Sequence, residues 1–183
     1  MESLQGYLLI AAKSLRDPNF LRTVVLMIEH SDEGAMGLVL NRPSQLTMKQ
    51  AWAKVQETPC SIKGMLFQGG PCPAPLMAMH AERSLAEIEV LPNVFFSAGQ
   101  EKLDLLIAHA GAPIRCYVGC AGWAPGQLEA ELEEGSWHAL PASPGHVFGA
   151  PDDLWDQMRA EVTQSSYLDM LDIRHIPDDP SMN

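Results

Sequence analysis

Four side chains in the first quarter of the chain are of the types used in acid–base chemistry: Glu29, His30, Asn41 and Arg42. A hairpin between the two pairs would gather a carboxylate, an imidazole, an amide and a guanidinium at one sheet end. An imidazole there would titrate near neutral pH and could move a proton. The same four groups also suit a hydrogen-bond network that pins a loop, and polar groups at strand ends must be satisfied in any case. The network is the favoured reading. A second stretch, Gln68-Gly69-Gly70-Pro71, could close a small-molecule or nucleotide site against this cluster, with hydrolysis as the chemistry. A third runs Gly119-Cys120-Ala121-Gly122-Trp123-Ala124-Pro125-Gly126-Gln127-Leu128-Glu129.

Glycines at 119, 122 and 126, between a strand and a helix, suit a tight turn. Free N–H groups at a helix start can also hold an anion. Against an anion, the stretch has neither Gly-Lys-Ser/Thr nor G-x-G-x-x-G. Pro125 removes one donor, and Glu129, Glu131, Glu133 and Glu134 would repel phosphate. A structural turn is expected, with Trp123 as a packed anchor. An exposed Trp123 beside Gln127 and Glu129 would instead be a partner hot spot. His80 reads as a lone structural or exposed histidine, since a metal needs three or more convergent ligands. No G-x-S-x-G, H-E-x-x-H or calcium loop occurs, so no catalytic residue, metal or cofactor is assigned.

The elements that must position these residues are mostly strands in the first half. Tyr7–Ala12 and the β-branched run 23–28 read as buried strands, with 32–34 as a turn and 37–40 as the return. Thr47 is a plausible N-cap. Met48, Ala51, Trp52 and Val55 then fall on one helical face up to Pro59. Short strands follow at 65–68, 76–79, 87–90 and 94–96. Ser97–Gln100 resembles a capping box before a helix that buries Leu103, Leu106 and Ile107 and ends near Gly111. A strand at 114–118 leads to a helix with Pro125 at its first position, running to Gly135. Residues 137–140 and 146–148 look strand-like. A last helix opens at 150–153 and runs to about Val162, and the tail from Ile176 is expected to fray.

The stretches GYLLIA, DPNF, TVVLMIEH and GAMGLVLNRP, then QGGP with His80 downstream, then GWAPGQLEAE followed by a Trp, resemble the YqgE/AlgH family of bacterial proteins in order and spacing. The resemblance covers about residues 4 to 160. It implies a mixed, strongly bent sheet curled into a partial barrel, with helices packed outside, in one α+β domain spanning 1–183. The family takes part of its name from regulation of alginate production. That name implies a transcriptional regulator but no DNA-binding mechanism. Two positions depart from the family pattern: Lys13 stands where a Pro is usual, and Cys120 where a Tyr precedes Ala-Gly-Trp. A tyrosine hydroxyl is thereby lost as a proton donor beside the turn.

The 183 residues carry 12 Lys plus Arg against 23 Asp plus Glu, a net charge of −11. From Ala121 onward there are twelve acidic residues and two basic ones. A chain this acidic repels nucleic-acid phosphates and anionic lipid, so neither DNA nor a membrane is the expected partner. No apolar run approaches the length of a membrane span. The start, MESLQGYLLIAAK, lacks a signal-peptide pattern, which gives a cytoplasmic expectation. The four cysteines, 60, 72, 116 and 120, form no C-x-x-C pair and read as reduced thiols. The expected function is non-enzymatic: a binding or regulatory protein that works through contacts with another protein. A small-molecule or nucleotide site is the alternative, and DNA binding comes last.

Overall fold

The computed structural model describes residues 3–55, 58–109, 111–150 and 152–170. Among the described residues ten strands and five α-helices make one mixed α+β domain. The strands are β1 (Tyr7–Ala11), β2 (Val24–Ser31), β3 (Gly34–Val39), β4 (Pro43–Thr47) and β5 (Met65–Gln68), then β6 (Cys72–His80), β7 (Ile88–Leu91), β8 (Val94–Ser97), β9 (Ile114–Trp123) and β10 (Trp137–Pro141). The helices are α1 (Met48–Trp52), α2 (Gln100–Ala108), α3 (Gln127–Glu133), α4 (Pro144–Phe148) and α5 (Leu154–Met170).

β2 and β3 form the expected hairpin, with Leu26 opposite Leu38 and His30 opposite Ala35. The apolar run of β2, Val24 to Ile28, is completely buried, as a strand covered on both faces should be. The sheet order is β10-β1-β2-β3-β9-β6-β8-β7. β9 is the spine. Its last residues, Ala121 to Trp123, pair with β3. Its earlier residues, Cys116 to Val118, pair in parallel with β5, and its other edge runs antiparallel to β6. The sheet therefore branches at β9, with β4 added beyond β5. Among the described residues β10 and β7 do not pair, so the sheet is open, and of the expected partial barrel only the mixed α+β sheet with its helices is borne out. Gln5 bridges toward the far edge, its amide donating to Glu89 O at 3.1 Å.

Two apolar clusters fill the structure. The larger is centred on β1, β2 and β3 and includes Trp123, Trp137 and Trp155. The smaller joins Met48, Trp52 and Ile62 to Leu103, Leu106 and Ile107 of α2. The helical stripe expected for α2 is thus in the core.

Several expected elements differ. α1 is capped as expected, since Thr47 and Gln50 form a capping box. It stops after one turn, however, and Val55 is left 74% exposed. Ser97 does not cap α2: the cap is Gly99, and the Ser97 hydroxyl donates instead to Leu85 O. The last carbonyls of α2 are met at His109, not by a left-handed Gly111. The strand expected to end at 118 continues to Trp123, because β3 offers a second edge to pair with. Glycines 119 and 122 therefore lie in a strand, and the turn is Ala124 to Gly126. Pro125 precedes the Gly126 cap and is not the first helical residue. Residues 146–148 are helical: Ser143 caps, Pro144 starts the turn and His146 completes a capping box. The last helix runs on to Met170. The tail from Ile176 lies outside the described residues.

Candidate functional site

The hairpin tip packs against the strand-to-helix turn. Gly34 has φ +126°, and a Cβ there would lie 2.5 Å from Trp123 O, so only glycine permits the approach. Trp123 is 5% exposed and stacks on Phe20 at 6.0 Å, with Trp137 edge-on to both. A buried indole needs a hydrogen-bond partner. One carboxylate oxygen serves both rings: Glu131 Oε2 accepts from Trp123 Nε1 at 2.9 Å and from Trp137 Nε1 at 2.8 Å. Glu131 Oε1 accepts from Gln127 Nε2 at 2.8 Å, and Gln127 Oε1 accepts from Ala124 N at 3.0 Å. Trp123 is therefore the packed anchor and not an exposed hot spot. Glu131 was invisible among four glutamates on one short helix. Its i, i+4 spacing from Gln127 was the available clue.

His30 sits in the same corner with its side chain 4% exposed. Nδ1 accepts from Leu4 N at 3.0 Å, so the hydrogen of the neutral ring belongs on Nε2, which donates to Glu129 Oε1 at 2.8 Å. Glu129's own backbone N–H, and then His30, hold its carboxyl below the ordinary range. In this tautomer neither ring nitrogen is free to take a proton from a substrate. Glu29 is exposed beside a bulge in β2.

Asn41 and Arg42 lie at the opposite end of the same hairpin. Six residues of ladder separate them from Glu29, about 20 Å at 3.4 Å per residue. The expected four-group cluster does not form, because Asn41 faces Thr23 at the open end while His30 is at the tip. Asn41 Oδ1 accepts from Val24 N at 3.0 Å, and its amide donates to Arg22 O at 2.9 Å. Arg42 donates to Pro18 O and Leu21 O. Both residues pin the loop before β2, which was the favoured network role. Gln68 N donates to Arg42 O at 2.9 Å, and Gly69 bridges Val39 N and Val118 O. A Cβ on Gly69 would meet Gly119 O, and one on Gly70, with φ +153°, would meet Cys120 C, each at 2.3 Å. Glycines 69 and 70 are thus where the chain crosses β9 backbone on backbone. The structure joins Asn41-Arg42 to Gln68–Gly70, and separately joins His30 to Trp123, Gln127 and Glu129.

The AlgH-like family model matches residues 8–166. The chain belongs to the AlgH-like family. A Streptomyces avermitilis UPF0301 protein is 35% identical, covering 100% of this chain and 97% of its own. A Chlorobaculum tepidum UPF0301 protein is also 35% identical, covering 97% and 95%. The solution structure of the AlgH protein from Pseudomonas aeruginosa superposes with a TM-score of 0.73 at 30% identity, covering 96% of each chain. A crystal structure from Corynebacterium diphtheriae gives 0.65 at 29% identity over 85% of each.

This AlgH-like chain also holds a buried Ser–His pair that its sequence did not announce. His80 and Ser97 are fully buried on adjacent strands. His80 Nδ1 accepts from Glu82 N at 3.2 Å, so Nε2 donates to Ser97 Oγ at 3.0 Å, and Ser97 donates onward to Leu85 O at 2.7 Å. A nucleophilic serine needs the reverse, a ring nitrogen that accepts its proton. Burial, the main cause, lowers the His80 pKa. Cys72 lies opposite Cys120 on neighbouring strands, and burial lifts the Cys116 thiol to about 12. Among the described residues no three His, Cys, Asp or Glu converge as a metal site. No described helix is long and apolar enough to cross a membrane.

Proposed function

We propose that this AlgH-like protein is a non-enzymatic binding protein that regulates by docking a basic protein partner on the face formed by the hairpin tip and α3. One observation carries the reading. The polar groups of the motifs are committed to holding backbone and indoles, while neighbouring carboxylates are left unused. Glu29, Asp32 and Glu33 at the tip, Glu133 at the end of α3 and its C-cap Glu134 are exposed, and none pairs with a cation among the described residues. The His30–Glu129 bond holds tip and helix together, so these charges form one surface. Such a surface speeds the approach of a positively charged partner and rejects nucleic acid.

The test compares immobilised wild-type protein with the exposed-site variant Glu29→Lys/Glu33→Lys/Glu133→Lys, first checked for native fold by circular dichroism. A basic protein retained by the wild type, eluted by raised salt and lost by the variant is the expected result. Retention of the same proteins by both would sink the assignment. The alternative small-molecule site between Glu29-His30, Asn41-Arg42 and Gly69–Pro71 loses its support, because its two halves lie at opposite ends of the hairpin.

A further inference from the structure

β6 and β9 set two thiols across from each other. Cys72, the first residue of β6, is the direct partner of Cys120 on antiparallel β9. Such partners have Cα atoms about 4.5–5.5 Å apart and side chains on one face, and a disulfide spans about 4.4–6.8 Å. Two glycines shape the approach. A Cβ on Gly70 would strike the Cys120 carbonyl, so its absence lets the chain just before Cys72 lie against β9. A Cβ on Gly122 would lie 3.7 Å from Cys72 Sγ. Positions 120 and 122 share a face of the strand, so that sulfur lies on the Cys120 side of β9, one side-chain position along. A change of rotamer at Cys72 turns it toward Cys120. Pro73 and Pro75 stiffen β6 just beyond. Both thiols are free and only half-buried, within reach of a small reagent, whereas Cys116 is buried.

We propose that Cys72 and Cys120 form a reversible disulfide site, oxidised by a low-molecular-weight disulfide. The Cys72 thiolate attacks one sulfur of that disulfide, forms a mixed disulfide and expels one small thiolate. The Cys120 thiolate then attacks the Cys72 sulfur and expels the second. Two protein thiols give up two electrons and two protons, and the small disulfide takes them up as two thiols. Burial, and then the neighbouring Cys72, push the Cys120 thiol up, so its thiolate is scarce and Cys120 enters second. A reduced resting state agrees with four free thiols, since disulfides in reducing compartments are usually transient and redox-sensing. The bond closes a loop that holds β7, β8 and α2. It also ties β6 to the end of β9 that pairs with the hairpin. No carboxylate of the proposed docking face takes part, so this site stands or falls apart from that reading.

Glutathione disulfide is the probe, added to the folded full-length protein. Remaining thiols are trapped with iodoacetamide, and the products are mapped by peptide mass. The wild type should lose two thiols to one Cys72–Cys120 bond, and dithiothreitol should restore both. Cys120→Ser should stop at a glutathione adduct on Cys72, and Cys72→Ser should react several-fold more slowly. In urea, with the strands apart, the pairing should scramble. The cross-linked protein should unfold at a higher urea concentration than the reduced one, because the closed loop restricts the unfolded chain. The wild-type map decides the matter even if a serine variant fails to fold. Four thiols left free, a bond to Cys60 or Cys116, a bond between two molecules, or a glutathione adduct that persists overturns the site. The same single pair formed in urea, or no rise in the unfolding midpoint, overturns the claim that the fold is shaped for the bond. Equal rates in the two serine variants overturn the order of attack.

Discussion

Glu131 accepts both indole donors on a single oxygen, so the aromatic corner depends on one carboxylate. Glu131→Ala strands two buried N–H groups and is expected to cost about 2–4 kcal/mol. Glu131→Gln keeps an acceptor and should cost less, and urea unfolding of both variants checks the order. Cys116 makes a prediction of the opposite kind. Its thiol ordinarily ionises near 9.0 and in the fold near 12, because burial disfavours the thiolate. Well below pH 9 the thiol is neutral folded or unfolded, and its contribution is complete. As the pH rises toward 12 the unfolded chain gives up the proton and the folded chain does not, so stability falls. Denaturant midpoints measured across that range should decline, and less steeply in Cys116→Ala. The buried Tyr117, shifted in the same direction mainly by burial, supplies part of what remains.

The hairpin shows how much of the candidate site could be read in advance. The apolar run of β2, the turn at 32–34 and the return strand were all legible, because a strand buried on both faces leaves an unbroken apolar pattern. Which end of the ladder each polar pair occupies was not, since that depends on where the turn sits between them. Likewise β9 looked complete at 118. Its extension depends on β3 supplying a second edge, a long-range fact with no local signature. α4 was misread as a strand because three residues carry too little periodicity, whereas the Ser143-Pro144 start and His146 cap were in plain view. Two predictions belong to these elements. Gly70→Ala forces a side chain into β9 backbone at a left-handed φ and should cost about 3 kcal/mol or more by thermal unfolding. His80 ties β6 to β8 in its neutral form, with its pKa drawn below 6.5 by burial. Above pH 6.5 it is neutral in both states. Below that the unfolded chain takes up a proton first, so stability should fall with acidification until the folded-state pKa is passed. His80→Gln should flatten that decline, and His138, lowered mainly by burial and then by Arg159, should account for a remainder.

Across the whole molecule, charge argues most clearly about partners. With a net charge of −11 and α3 anionic, the chain should give no gel shift with duplex DNA at physiological salt. A salt-dependent shift at nanomolar protein would overturn that expectation. The spine role of β9 bears on how the molecule is made. It begins at Ile114, yet it supplies the pairing partner for β3, β5 and β6. Three strands with unfilled edges therefore leave the ribosome before the fourth emerges. A nascent chain stalled after Pro113 should be captured by chaperones or aggregate, and one lengthened past Trp123 should become protease-resistant in a single step.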